Sequence, residues 1–353
     1  SSIQMALYRR DFDFKTLFVV RMIAIVLPFI VTIPLSLLGL SYWALIIGNI
    51  SMHLSNAVIL TIKSKWKPKL FYSLGTLKKM FSFSIWSLIE AISIWLTTWV
   101  DAFVIASVLS SYYLGIYKTS TSMVNALMAV ITASIVPVLF SALSRLQNDT
   151  ALFKKTYFKF QRMVSVIVLP IGIGVYLYSD LATQILLGSQ WEEANKIIGV
   201  WALTSAIMII FGNFSSEVYR SKGKPKLSFL AQILHIIVLL PTCLFSSKFG
   251  FWPLVYARSW IRLQFVLVHF IIMKFSMGIS IIQTIKNVFP TIFSSSLMGL
   301  FGFLLQQMFD GIVWDFLSII LCGLFYFMIL LTFPNIRKEL IGLGKKLIPI
   351  KEK

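Results

Sequence analysis

Charge is what this chain lacks most. Of its 353 residues 13% are charged, Asp and Glu together number 13, and 58% are hydrophobic. Soluble domains carry about a quarter of their residues as charges, so this balance excludes a soluble globular fold. Long polar connections are missing too. The widest gap between apolar stretches runs from 143 to 161, too short for the extramembrane domain in which a membrane glycosyltransferase, polymerase or ligase assembles its chemistry, so an enzyme is not expected. Cys243 and Cys322 fall inside apolar stretches, and His53, His235 and His269 lie on separate ones; no metal-ligand or disulfide spacing results. The chain opens at Ser1 with neither an initiator Met nor a signal peptide.

What is present is ten apolar runs: 16–38, 41–63, 80–107, 112–143, 161–179, 194–217, 226–247, 251–275, 286–308 and 313–333. A helix needs about 20 residues to cross ~30 Å of hydrocarbon. The expected fold is therefore all-α, a polytopic membrane bundle of about ten transmembrane helices. Of 32 Lys and Arg, four lie inside runs (Arg21, Lys118, Arg258, Arg262) and two, Lys196 and Lys248, follow the outward ends; all the others share one side with both chain ends. The positive-inside rule makes that side cytoplasmic. Clusters such as Lys63, Lys65, Lys67 and Lys69, or Arg220, Lys222, Lys224 and Lys226, then read as topology signals that also attract anionic headgroups, and no nucleic-acid partner is implied. The opposite side is short and acidic, with Asp180, Glu192, Glu193, Asp310 and Asp315.

Residues 3–15, with Met5, Leu7, Phe12 and Phe14 among Arg9, Arg10 and Lys15, form a basic amphipathic segment of the kind that joins two spans at the surface. Internal repetition points the same way. Arg10, Asp11 and Lys15 precede a span that leads to Gly39-Leu40-Ser41-Tyr42-Trp43; Arg220, Gly223 and Lys226 precede one that leads to Gly250-Phe251-Trp252-Pro253. The two stretches are about 210 residues apart with six spans between them, as in a parallel repeat about an axis along the membrane normal.

The run Asp101-Ala102-Phe103-Val104-Ile105, then Leu114-Gly115-Ile116-Tyr117, then Pro137 with Ser144-Arg145-Leu146-Gln147-Asn148-Asp149, resembles the polysaccharide-export (Wzx-type oligosaccharide flippase) branch of the multidrug/oligosaccharidyl-lipid/polysaccharide superfamily. Gly188-Ser189-Gln190-Trp191 and Arg9-Arg10-Asp11-Phe12-Asp13-Phe14 fit the same branch. The resemblance implies a MATE-like architecture of two six-helix lobes and two extra helices. Residues 1–63 would be the last two helices of a first lobe whose first four are absent, 80–275 the second lobe, 286–333 the extra pair and 334–353 a basic cytoplasmic tail. A chain without those four helices would not transport by itself. The implied activity is translocation of undecaprenyl-pyrophosphate-linked oligosaccharide across the bacterial cytoplasmic membrane, for O-antigen, capsule or exopolysaccharide synthesis. The implied partners are the lipid-linked oligosaccharide and the bilayer, with a polysaccharide polymerase and glycosyltransferases as further candidates.

Charges within the spans locate the candidate site, because each costs at least ~2.5 to 3.5 kcal/mol at mid-membrane and must face protein or water. Arg258, Arg262 and His269 share one helical stripe, with Arg262 ~16 Å deep. A guanidinium suits a diphosphate because its planar fork stays charged and donates two parallel hydrogen bonds; the competing reading is that these arginines neutralise buried carboxylates. Glu90 and Asp101 share a stripe on the third span with Trp86 and Thr97, and Lys118, Ser122, Asn125 and Thr132 a stripe on the fourth. Arg258, Arg262, His269, Asn125 and Lys118 are thus the candidate substrate ligands. Glu90 and Asp101 are candidates for ion coupling or a structural ion pair, Asp101 with Lys118 at similar depth and Glu90 level with Arg262. Glu217 is expected to pair locally with Arg220. Trp86, Trp95 and Trp99 are candidate sugar-stacking rings. No cofactor is implied; coupling to an H+ or Na+ gradient is left open. Three alternatives stay in view: a drug or metabolite antiporter of the same superfamily, a lipid II flippase, and a membrane enzyme acting on polyprenyl phosphates.

Overall fold

The computed structural model describes residues 2–64, 66, 73–334, 336–339 and 342. These residues form helices and turns, with no strand among them. The chain divides into two compact units, Ser1–Lys79 and Met80–Lys353.

The first unit begins with a short helix, α1 (Ser2–Arg10), followed by a hairpin of α2 (Phe14–Leu37) and α3 (Ser41–Lys63). The basic amphipathic stretch at the start is thus helical only to Arg10, and the backbone reverses through Phe12 at φ 61°. Asp13 then starts α2, accepting from the Thr16 N–H at 3.0 Å and the Thr16 hydroxyl at 2.7 Å. α2 and α3 touch where a side chain is absent: a Cβ on Gly48 would lie 2.0 Å from Thr32 Oγ1, the small-residue contact by which apolar helices approach in lipid.

The second unit holds α4 (Leu74–Val108, from Met80 onward), α5 (Ser111–Arg145), α6 (Thr150–Leu177), α7 (Ser179–Leu186), α8 (Ala194–Met208), α9 (Phe214–Ser221), α10 (Pro225–Ser247), α11 (Phe251–Trp260), α12 (Arg262–Met277), α13 (Ile281–Gln306) and α14 (Ile312–Leu330). A π-helical stretch, Ile209–Asn213, runs α8 directly into α9. Ten helical segments across the described residues are long and apolar enough to cross a membrane. The chain is a multi-pass membrane protein.

The segment Ala194–Ser221 is the enclosed one. Within its apolar window 83% of residues are buried, against at most 39% in the other nine, and α8 packs on α5, α6, α11 and α12. It is the axis of this unit, and the others present lipid-facing apolar surface. α13 and α14 pack together and against α6, around a separate cluster of Val166, Met298, Leu305, Cys322, Tyr326 and Leu330. The Tyr326 hydroxyl donates to the Val166 carbonyl at 2.8 Å, satisfying a phenol that lipid could not.

Three boundaries differ from the sequence reading. The fifth span begins at Thr150, not 161, because Asp149 caps it, accepting from the Ala151 and Leu152 amides at 3.1 and 2.9 Å, so the basic stretch before 161 continues the helix. The sixth extends to Ser221 through the π-helical stretch. The eighth is interrupted at Ile261. Of the basic tail 334–353, residues 334, 336–339 and 342 are described; the remainder, like Lys65, Lys67 and Lys69, lies outside the described residues.

Candidate functional site

A polar cavity of about 220 Å³ lies within the second unit, bordered by side chains of α4, α5, α8, α10, α11 and α12. Its charged groups are Asp101, Lys118, Arg258 and Arg262. Each was expected from the sequence; for Arg258 the structure has the competing reading, a buried carboxylate partner, and the expected Asp101–Lys118 pair is not made.

Asp101 on α4 takes Arg258, not Lys118. The Arg258 Nε donates to Asp101 Oδ2 at 2.7 Å, and the Tyr117 hydroxyl donates to the same oxygen at 2.7 Å. All three side chains are buried, so carboxylate and guanidinium offset one another's desolvation cost only because the geometry is close and the extra donor is present. Arg258 Nη2 reaches the Thr97 carbonyl at 3.4 Å, while its Nη1 is buried without a hydrogen-bond partner. Lys118 sits instead over the Trp99 ring, its Nζ 4.1 Å from the centroid, a cation held by the ring's negative face.

Arg262 has no carboxylate within 4 Å among the described residues. One nitrogen, Nη1, holds it to α8 by donating to Ser205 Oγ at 2.9 Å, Thr204 Oγ1 at 3.2 Å and the Trp201 carbonyl at 3.4 Å. No protein partner within hydrogen-bond distance is found for its Nε or Nη2 among the described residues. With Asp101 committed to Arg258, the cavity keeps the positive charges of Arg262 and Lys118, neither with a carboxylate partner among the described residues. Such a cavity concentrates anions, and the low-dielectric surroundings strengthen the attraction.

Trp201 organises both arginines. Its ring lies 4.2 Å from the Arg262 guanidinium carbon and 5.2 Å from that of Arg258, and its Nε1 donates to Asn125 Oδ1 at 3.1 Å. Asn125 is therefore at the cavity as expected, but it faces Trp201. Gln232 and His235 of α10 complete the wall: the Thr97 hydroxyl donates to Gln232 Oε1 at 3.1 Å, and His235 Nδ1 is 2.8 Å from Gln264 Oε1. Sequence reasoning missed Trp201, Gln232 and His235. A signal existed, since an indole, an amide and an imidazole inside apolar spans each need a partner in hydrocarbon.

Two candidates stand elsewhere. His269 is fully buried behind Phe265, their rings 4.4 Å apart, with Nδ1 3.3 Å from the Tyr219 hydroxyl. It shares the arginine stripe, but seven residues along a helix is ~10 Å, and Phe265 closes the cavity first. Glu90 does not line the cavity that Arg262 lines. It is buried against Arg220, Nε to Oε1 3.8 Å, on the far side of three helical turns from Asp101. Arg220 lies on α9, which follows the π-helical stretch without a break. Arg220 also meets Glu217 at 2.5 Å, the local pair expected. Trp86, Trp95 and Trp99 do not line the cavity. Trp86 packs on Phe229, and Trp95 and Trp99 are 54% and 40% exposed.

Comparison with known proteins adds the following. Residues 1–196 match the family model described as polysaccharide biosynthesis protein. The lipopolysaccharide biosynthesis protein WzxC of Escherichia coli K12 is 21% identical over 251 residues, covering 69% of this chain and 50% of that protein. The succinoglycan biosynthesis transport protein ExoT of Rhizobium meliloti is 23% identical over 199 residues, 56% of this chain and 40% of that protein. The chain spans about half the length of the curated relatives it matches. Among solved structures, the lipid II flippase MurJ in an inward closed conformation has the same fold, with a TM-score of 0.65 and 17% identity over 89% of this chain and 67% of that one.

Proposed function

The chain belongs to the polysaccharide biosynthesis protein family, and from that premise we propose that it serves the translocation of polyprenyl-pyrophosphate-linked oligosaccharide across the bacterial cytoplasmic membrane, with both its ends on the cytoplasmic side. It makes and breaks no covalent bond in this reading. The observation that carries it is Arg262, a mid-span guanidinium fixed by one nitrogen to Ser205 and Thr204 and without a carboxylate counter-ion among the described residues. Its other nitrogens are the free edge of a fork, the shape that matches two phosphate oxygens. Lys118 adds a second cation to the same cavity, and Asn125 and Gln232 supply hydrogen-bonding groups for sugar hydroxyls.

The same charge count speaks against a cation antiporter, which gains from carboxylates left free of arginine, and Asp101 is not free. Glu90, outside the cavity and beside Arg220, is the candidate for coupling to an H+ or Na+ gradient. A polysaccharide polymerase and glycosyltransferases are the candidate partners, because they consume and supply the same lipid-linked units.

The test is export by a strain whose only copy of the gene carries Arg262→Ala. Surface glycan should fall to background while the amount of protein in the membrane stays near normal, because the lost side chain takes its own desolvation cost with it. Arg262→Lys keeps the charge without the fork and should restore only a minor part. Undiminished surface glycan with Arg262→Ala would end the phosphate-ligand reading.

A further inference from the structure

Outside the central cavity, the second unit carries another cationic recess. It is a cleft of about 530 Å³ at the Lys-rich ends of α6 and α13, lined by Lys154, Phe158, Arg162, Lys286, Asn287 and Ile336 among others. Arg162 is its anchor. The guanidinium meets the Glu339 carboxylate in a two-point fork, Nε to Oε2 at 2.9 Å and Nη2 to Oε1, and its Nη1 donates to Asn287 Oδ1 at 2.8 Å. The fork is only partly covered, with Arg162 at 22% and Glu339 at 26% side-chain exposure.

Three cations line this recess, and one carboxylate answers them among the described residues. Lys154 spends one of its three donors on the Gly278 carbonyl at 2.6 Å. Lys286 is exposed and makes no ion pair with a described residue. The rest of the wall is Gln283, Asn287 and the apolar side chains of Phe158, Pro290 and Ile336. A fork that accepts a carboxylate at two points accepts a phosphate at two points, and basic recesses between spans at the cytoplasmic surface suit phosphorylated headgroups. We propose that this cleft is a binding site for an anionic phosphate group, with Glu339 as an internal occupant that competes for Arg162. The apolar side chains fit the first methylenes of the acyl chains of an anionic phospholipid as the rest of that ligand.

The cleft is also tied to the central axis. Asn287 Nδ2 donates to Gln161 Oε1 at 3.1 Å, and Gln161 Nε2 to the Ile210 carbonyl at 3.4 Å, within the π-helical stretch that leads to Asn213 at the cavity. An occupant at Arg162 therefore touches a hydrogen-bonded chain that ends beside the candidate site.

The test uses the full chain in phosphatidylcholine nanodiscs titrated with phosphatidylglycerol, with bound lipid read by native mass spectrometry. Lys154→Gln combined with Lys286→Gln should weaken phosphatidylglycerol binding about tenfold or more, since each cation near the surface contributes appreciably. Glu339→Gln should strengthen it several-fold by removing the competing charge. The three positions are at the surface, and unchanged thermal melting of the variants would confirm that they fold. Displacement of the lipid by millimolar inorganic phosphate beyond that by chloride at equal ionic strength would make free phosphate the source of the group, and its absence would make the headgroup the source. Phosphatidylglycerol binding unaltered by the double lysine variant, or unaltered by Glu339→Gln, would overturn the proposal.

Discussion

Residues 12–63 and 223–274 are two versions of one hairpin, and only the second carries the site. Left-handed backbone recurs at a constant separation of 211 positions, at Phe12 and Gly223 with φ 61° and 67°, and at Gly39 and Gly250 with φ 83° and 103°. Lys15 and Lys226, and Lys63 and Lys274, fall on the same separation. So do buried pairs, Val20 with Ala231, Ala24 with His235 and Ala44 with Val255. The side chains diverge where the cavity is. Gln232, His235, Arg258 and Arg262 correspond to Arg21, Ala24, Ile47 and Ser51. The turns and helix starts repeat because they are set by backbone geometry; the cavity arginines do not, because a buried charge needs hydrogen-bonding groups that only its own surroundings supply. Asp101 and Tyr117 supply them for Arg258.

The sharpest way to break the comparison is therefore to remove a partner. Asp101→Asn leaves the Arg258 guanidinium buried without a counter-charge, and breaking a buried pair in this way costs about 3–5 kcal/mol. Purified protein should melt at a clearly lower temperature or fail to accumulate. The change Ile47→Leu, at the position in the first hairpin that corresponds to Arg258, should shift melting by less than about 1.5 kcal/mol as a hydrophobic swap. If Asp101→Asn melts like the parent protein, the ion pair does not support the second hairpin as its close geometry implies.

A smaller effect separates the two turns within one hairpin. Gly250, at φ 103° and ψ −172°, lies in a region essentially confined to glycine, whereas Gly223 at φ 67° lies in the left-handed helical well. Neither has a heavy atom within 4 Å of the position a Cβ would take, so substitution there tests backbone alone. Gly250→Asn should cost about 1–3 kcal/mol. Gly223→Asn should cost well under that, since asparagine tolerates the left-handed well and Phe12 already occupies the corresponding place. Equal losses, read by thermal melting, would mean that the match of Phe12 with Gly223 has no conformational meaning.

How much of this was legible beforehand follows from which forces act locally. The ten spans were legible because the thickness of hydrocarbon dictates a length and a composition. Arg258, Arg262, Asp101, Lys118 and Asn125 were found because polar groups in apolar runs must face inward. Their partners were legible only in part: the reading that the arginines neutralise buried carboxylates holds for Arg258 with Asp101, while the pairing of Asp101 with Lys118 does not. Depth counted from span ends placed Glu90 level with Arg262, but depth does not decide which groups meet, and Glu90 lies outside the cavity lining against Arg220. Trp201 was passed over within its apolar span, and the packing of α8 among α5, α6, α7, α11 and α12 turns its face to both guanidinium groups.

The smallest difference between the hairpins lies at their first residues. α2 is started by the Asp13 carboxylate on the Thr16 amide and hydroxyl, while α10 has Lys224 at the corresponding place, no side-chain cap, and Pro225 in its first turn. The two hydrogen bonds from Thr16 hold the Asp13 carboxyl below the ordinary carboxylate range. A carboxyl with a lowered folded-state pKa stabilises the folded end above the unfolded value, and that contribution is lost as pH falls through the folded one. Hydrogen exchange in the first turn of α2, read at the Thr16 and Leu17 amides, should therefore speed up, relative to the intrinsic rate, as the pH drops below about 4, the usual aspartate value. The first turn of α10, read at Leu227, should keep its relative protection over the same range, because proline offers no titrating group and no amide to free. Asp13→Asn keeps an acceptor that does not titrate, and should make α2 as indifferent to acid as α10. If Thr16 exchanges with the same pH profile in the parent protein and in Asp13→Asn, the carboxylate is not what starts the first hairpin, and the two hairpins begin alike.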